Sequence, residues 1–268
     1  MTETKRKGSR STRDIPPVIL QQLNCGEIET ANLVEWLAVD QRALLENLLI
    51  EIDRNNYLQP ILLAVDNLKK QTVNTINEAI GVGLFEQSVI NNDDLILEKI
   101  AKHSSDLVRC WATYTISKNE KLSIAQILEN IKPFAADTHF GVREIAWLSV
   151  RPKIALNLDQ SIRILASWTT DVNENVRRFA SEATRPRGVW CEHIEILKQN
   201  PALGLPILEP LKSDKHKYVQ DSVANWLNDA SKTQPDFVIE ICEKWQNENL
   251  SKETAYIVKR ALRTLEKK

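Results

Sequence analysis

The stretch NENVRRFASEATRPRGVW (residues 173–190) sets Arg178, Glu182 and Arg185 at i, i+4 and i+7, along one stripe of a helix. Arg177 and Arg187 lie close by in the chain. A guanidinium is planar, permanently charged and able to grip a phosphate with two parallel bonds. Thirty-four residues earlier, HFGVREIAWLSVRPKI (residues 139–154) has the same skeleton. Val142-Arg143 matches Val176-Arg177, Ala146 matches Ala180, and Arg151-Pro152 matches Arg185-Pro186. Arg143, Arg177, Arg178, Arg185 and Arg187 suit a strip that tracks a nucleic-acid backbone. Trp111, Trp147, Trp168 and Trp190 are interleaved with them, and indoles stack on bases or pack on sugars. A plainer reading stands beside this one. Trp111 and Trp147 are then core aromatics of a repeat. The arginine–glutamate pairs are then surface pairs worth roughly a few tenths of a kcal/mol each.

The elements that must position these residues are helices. Apolar residues recur at spacings of three and four through LVEWLAVD, QRALLENLLIEID, LQPILLAVDNL, DLILEKIAKH and DQSIRILASW, and no period-two strand pattern competes. The marker Val-Arg-x-x-Ala occurs at Val108, Val142 and Val176, steps of 34 and 34 residues. Weaker copies begin at Val73, Val219 and Val258. Each unit reads as a helix, a short turn often carrying Asp, Asn or Ser, and a marker helix. This is the pattern of HEAT-type repeats, so an all-α solenoid is expected over residues 15–268 as a single domain, with the marker helices lining a concave face. The marker valine and alanine pack in the core of such repeats. The repeat arginines Arg109, Arg143 and Arg177 then have two open roles, stacking the units or meeting a ligand. Glu144 stands one residue after a repeat arginine, where the aligned units have Cys110 and Arg178, so it is not a consensus choice. Pro186 is expected to stop the helix that carries Arg178 and Glu182.

Composition narrows the classes. Of 268 residues only 7 are glycine, which argues against the phosphate loops of Rossmann and P-loop folds, and neither glycine motif occurs. The formal net charge is −1, so bulk charge does not mark a nucleic-acid binder; the basic character is local, at residues 4–13, 143–187 and the C-terminal end. Residues 1–14 read as a disordered basic tail. Cys25, Cys110, Cys191 and Cys242 are scattered, without zinc-ligand or disulfide-framework spacing, so reduced thiols and no metal are expected. No apolar segment follows the basic N-terminus as in a signal peptide, and none approaches membrane-spanning length. A cytoplasmic protein with no membrane contact is expected.

Two stretches, DVNENVRRFASEATRPRGVW and PILEPLKSDKHKYVQDSVANWLNDASKTQPDFV, resemble the AlkC/AlkD DNA alkylation repair glycosylases, the AlkC branch more closely. Val176-Arg177-Arg178, Ser181-Glu182, Thr184-Arg185-Pro186-Arg187, Tyr218-Val219, Ser222-Val223-Ala224-Asn225 and Leu227-Asn228-Asp229 carry the resemblance. It is specific over residues 139–240 and looser over 20–265. The family pattern has glycine where Ala183 stands and asparagine where Trp226 stands. Arg143 replaces a serine, and the spacing before Arg151-Pro152 is longer. An immunoglobulin-like domain found at the C-terminus of some members is not expected in a sequence that stops at Lys268.

The resemblance implies a DNA glycosylase that excises cationic N-alkylated purines of the 3-methyladenine type from duplex DNA, in base excision repair, as a monomer and without a cofactor. A 3-alkyladenine already carries positive charge and leaves easily. C1′ then gains oxocarbenium character, which a carboxylate can stabilise. Glu144 is the first candidate, because its position corresponds to the family's catalytic acid; Glu182 is second and Asp171 third. Asp171 alternatively caps a turn before Asn173. Trp111, Trp147 and Trp190 are expected to contact the lesion by stacking or cation–π attraction. Alanine at Arg177 or Arg187 is expected to weaken DNA binding and lower its salt slope. Two other classes remain, a non-catalytic HEAT-repeat protein that binds damaged or branched DNA and a protein-binding HEAT scaffold.

Overall fold

The computed structural model describes residues 6–248 and 250–265. Among these every regular element is helical, and the chain divides into two compact units. The first unit holds residues up to Lys121 together with Thr138–Ser149. Its helices are α1 (Pro17–Asn24), α2 (Leu33–Ala38), α3 (Gln41–Glu51), α4 (Leu58–Asp66), α5 (Val73–Asn91), α6 (Ile96–Ala101) and α7 (Asp106–Ser117). The second unit holds Leu122–Asp137 and the chain from Val150 onward. It contains α8 (Ile124–Ala135), α10 (Leu158–Trp168), α11 (Glu174–Ala183), α12 (Glu195–Gln199), α13 (Leu205–Leu211), α14 (Lys217–Ala230), α15 (Pro235–Glu248) and α16 (Lys252–Leu262). Helix α9 (Phe140–Leu156) gives its residues up to Ser149 to the first unit and the remainder to the second.

The repeat read from spacing is a physical one. Val108, Val142, Val176, Val219 and Val258 lie on α7, α9, α11, α14 and α16, and all are buried. In the second unit α10 packs on α11, α13 on α14 and α15 on α16, and the marker helices α11, α14 and α16 pack against one another in that order. Polar residues start the helices. Ser123 and Gln126 form a capping box on α8, Asn173 accepts the Asn175 N–H at the start of α11, and Ser251 accepts the Thr254 N–H at the start of α16. Helix α11 stops at Ala183, before Arg185-Pro186, as the proline requires. The matching Arg151-Pro152 does not stop α9, which continues to Leu156 with Pro152 exposed.

The N-terminal segment departs from the disordered tail expected over 1–14. Residues 1–5 lie outside the described residues. From Arg6 on the chain is held: the Arg6 guanidinium donates to both Glu35 carboxylate oxygens, at 2.7 and 2.6 Å, and the Asn32 amide donates to the Ser9 carbonyl. Glu35 is fully buried, so this pair ties the segment to α2.

Candidate nucleic-acid interface

The repeat arginines settle into a common geometry. Arg109 donates from Nη1 to the His103 and Ser104 carbonyls and pairs with Glu29. Arg143 donates from Nη1 to the Thr138 carbonyl at 3.0 Å. Arg177 donates from Nη1 to the Asp171 and Val172 carbonyls. Each side chain thus folds back onto the turn before its own helix, where carbonyls otherwise need partners. Arg177 completes the set: Nε and Nη2 reach Asp214 Oδ2 and Oδ1 at 2.6 and 3.1 Å, and Nη2 also meets His216 Nδ1. A guanidinium has five N–H donors. These five bonds use them all, so Arg177, expected on the phosphate strip, is scaffold instead. Its side chain holds the Asp214 carboxyl below the ordinary range, against the opposing effect of burial. Arg177→Ala is expected to destabilise the fold by about 2 kcal/mol, the cost of leaving Asp214 short of partners. Urea unfolding checks the loss, and the salt slope of DNA binding should not change.

The stripe on α11 forms a buried ionic cluster. Glu182, 4% exposed, accepts from Arg185 Nη1 at 2.7 Å and from the Ser222 hydroxyl at 2.7 Å, with Arg178 Nη2 at 3.6 Å. Burial pushes the Glu182 carboxyl up, but Arg178, Arg185 and Ser222 outweigh it and hold the group below its ordinary value. Arg185 spans two carboxylates, donating also from Nε to Asp229 at 2.8 Å. It is buried, and its donors face inward to Glu182 and Asp229. Arg185 is therefore corrected from a phosphate ligand to the centre of this cluster. Arg178 lies over the Tyr218 ring, 4.1 Å from its centroid.

The carboxylates differ in access. Glu144, half-buried on α9, accepts the Trp147 indole N–H at 2.9 Å, an i to i+3 bond that orients it. Asp171 accepts the Asn173 N–H and pairs with Lys132 at 2.9 Å, which makes it a turn cap. The tryptophans separate in the same way. Trp111, expected at a lesion, is fully buried in the first unit and donates to Asn77 Oδ1 at 2.9 Å. Trp147 is 5% exposed, so it offers Glu144 a bond but no open ring face. Trp168 packs against Phe179. Trp190 alone stands out, 85% exposed and with φ of +57°, a conformation strained for a bulky side chain. Arg187, three residues before it, is half-buried, and its Nε has no hydrogen-bond partner among the described residues. Among the arginines expected to bind DNA, Arg187 thus keeps a donor unmatched within the protein. Arg187→Ala is expected to lower the slope of log Kobs against log salt by about 0.9, read by titrating duplex binding at several salt concentrations.

Sequence reasoning missed a second set of basic and aromatic neighbours. Lys217 Nζ lies 4.4 Å from the Tyr256 ring centroid and the Arg260 guanidinium 5.6 Å from it. With Arg178 over Tyr218, cations sit on tyrosine rings across α11, α14 and α16. The signal was the repeat itself: Arg178 and Arg260 each follow a marker valine by two residues, and Tyr218 and Tyr256 precede one. Among the described residues no group of His, Cys, Asp and Glu could hold a metal, and no helix is long and apolar enough to cross a membrane. The four cysteines form no disulfide with one another.

Comparison with known proteins bears on the fold and on the C-terminal half of the chain. Residues 144–265 match the family model of the DNA alkylation repair enzyme. The uncharacterised protein YhaZ of Bacillus subtilis is 41% identical over 149 residues, 56% of this chain and 40% of that protein, so the match spans less than half the relative's length. The fold is similar to that of Pseudomonas fluorescens AlkC, an alkylpurine DNA glycosylase bound to DNA containing an abasic-site analogue. That likeness has a TM-score of 0.66 and 22% identity, and covers 96% of this chain and 65% of that one. It is also similar to that of AlkD2 from Streptococcus mutans, with a TM-score of 0.60 and 21% identity over 77% of this chain and 97% of that one. The paired helices of the second unit, the ionic cluster on α11 and the exposed tryptophan thus lie within residues 144–265, the segment that matches the DNA alkylation repair enzyme model, on a helical-repeat fold similar to that of AlkC and AlkD2.

Proposed function

We propose that the protein is a DNA glycosylase that excises cationic N-alkylated purines of the 3-methyladenine type from duplex DNA, acting as a monomer in base excision repair in the cytoplasm. The observation that carries this reading is Glu144: a reachable carboxylate, oriented by an indole N–H, at the first residue of the segment matching the alkylation-repair family. The base to be removed is already positive, so its departure needs no proton from the protein. What the protein must supply is negative charge for C1′ as the glycosidic bond breaks, and a water to complete hydrolysis. A carboxylate fixed before reaction supplies that charge without reorganising. Glu182 is the second carboxylate for this role, paired with Arg185, and Asp171 the third, paired with Lys132. Arg187 is assigned to the DNA backbone and Trp190 to stacking on the alkylated base or its neighbours. Arg143 and Arg178 contribute positive potential to this binding.

The test is release of 3-methyladenine and 7-methylguanine from dimethyl-sulfate-treated DNA under single-turnover conditions. Release by the wild-type protein supports the reading, and no release overturns it. The saturation of Glu182 by Arg178, Arg185 and Ser222 favours a second reading, a non-catalytic protein that binds damaged DNA. Tight binding of methylated duplex without base release, unchanged in Glu144→Gln, would select it.

A further inference from the structure

Arg151 is a buried cation whose described bonds go to the end of α11 and the loop that follows it. It projects from α9 and is 3% exposed. Its Nη1 donates to the Ala183 carbonyl at 2.9 Å, Nη2 to the Arg185 carbonyl at 2.5 Å and Nε to the Glu192 carbonyl at 3.1 Å. None of these acceptors is a carboxylate. The Ala183 carbonyl ends α11, where the last carbonyls have no helical partner and the helix dipole is negative, and the Arg185 carbonyl follows two residues on. The third lies at the far side of the loop, whose base is closed by the Ile194 N–H donating to the Pro186 carbonyl at 3.1 Å. Between them Gly188 packs on the guanidinium itself. A Cβ there would stand 3.1 Å from Arg151 Cζ and 2.3 Å from the Cys191 sulfur, so only glycine lets the loop approach this closely. Burial pulls the Arg151 pKa down.

That is a costly way to stabilise a fold, since apolar residues of similar volume often do as well as buried charge. What a three-way fork does, and an apolar side chain does not, is fix the path of residues 184–194. This loop carries Arg187 and Trp190. We propose that Arg151 is a positioning residue, holding the loop in one conformation so that Arg187 and the exposed Trp190 are set for nucleic acid before it arrives. The DNA part of this inference rests on the function proposed above; the loop part does not. Trp190 keeps its left-handed backbone because the residues on both sides of it are tied to Arg151. The ordering of the loop is then not charged against binding.

The experiment compares wild type with Arg151→Lys, Arg151→Met and Arg151→Ala. Trypsin cleavage after Arg187 in the native proteins, without DNA, reads the loop; Arg185 precedes proline and resists the enzyme. Cleavage is expected to accelerate about tenfold or more in Arg151→Met and Arg151→Ala, with Arg151→Lys intermediate because an ammonium lacks the planar fork. Millimolar guanidinium, below denaturing concentrations, is expected to restore protection to Arg151→Ala but not to Arg151→Met, whose side chain fills the space. With methylated duplex, most of the loss is expected in Kd rather than in the single-turnover rate at saturating DNA. Protection unchanged in Arg151→Met, or loosening that guanidinium does not reverse in Arg151→Ala, would overturn the assignment. If Arg151→Met fails to fold, Arg151→Lys and the guanidinium arm decide. A wild-type protein that binds no DNA would sink the proposed function while the protease arm still reads Arg151.

Discussion

Glu144→Gln is expected to slow single-turnover release of 3-methyladenine by about 10²–10³-fold, the usual consequence of removing one preorganised electrostatic group from a reacting centre. Glutamine has the same shape, and its amide oxygen can still accept the Trp147 indole N–H that Glu144 accepts at 2.9 Å. The change removes the charge while keeping the shape and that bond. Duplex affinity and the melting temperature are therefore expected to stay close to wild type. Kd by fluorescence anisotropy and a thermal melt, run beside the excision assay, check both. Glu182→Gln is the matched comparison. It removes a buried charge that Arg185 and Arg178 surround, so its first effect is expected on stability. If Glu182→Gln abolishes release while the fold survives and Glu144→Gln does not, the reactive carboxylate is Glu182.

The largest stability effect is expected at Arg185. Arg185→Met leaves Glu182 and Asp229, each 4% exposed, without the guanidinium that joins them. Breaking a buried pair in this way costs about 3–5 kcal/mol, because the remaining charges stay desolvated. Urea unfolding at neutral pH measures it. The dependence on acid follows from the direction of the Glu182 shift. Its folded pKa lies below the ordinary glutamate value of 4.5, so its stabilising contribution is present above that value and is lost as pH falls through the folded one. The gap between wild type and Arg185→Met is accordingly expected to narrow below about pH 4.5. A gap that stays constant to lower pH would mean Glu182 is not the group that Arg185 stabilises.

The fold was legible because stacking imposes a period. Val108, Val142 and Val176 recur at a fixed step since each must fill the same place in its unit, and Pro186 marks a helix end for reasons local to the chain. The site was harder to read because access is not local. Arg177 and Arg187 are the same residue type ten positions apart. One is spent on Asp214 and His216, about forty residues on, and the other keeps a donor unmatched. Nothing in the spacing around Arg177 distinguishes them. Trp111 and Trp190 divide for the same reason. Trp111 meets an acceptor, Asn77, thirty-four residues back in α5, whereas Trp190 stands on a loop whose shape is set by Arg151. Arg185 looked like one cation in a basic run, and only the return of α14 alongside α11 brings Asp229 to it.

The uneven burial of the indoles gives the molecule a natural optical label. Of its seven tryptophans, Trp36, Trp111, Trp147, Trp168, Trp226 and Trp245 are all at most 6% exposed, and Trp190 is 85% exposed. Intrinsic emission should therefore contain one red-shifted, iodide-quenchable component over a blue, unquenchable background. That component comes from the residue assigned to contact the base, so docking of duplex at this loop can be followed in the unmodified protein as the disappearance of its collisional quenching.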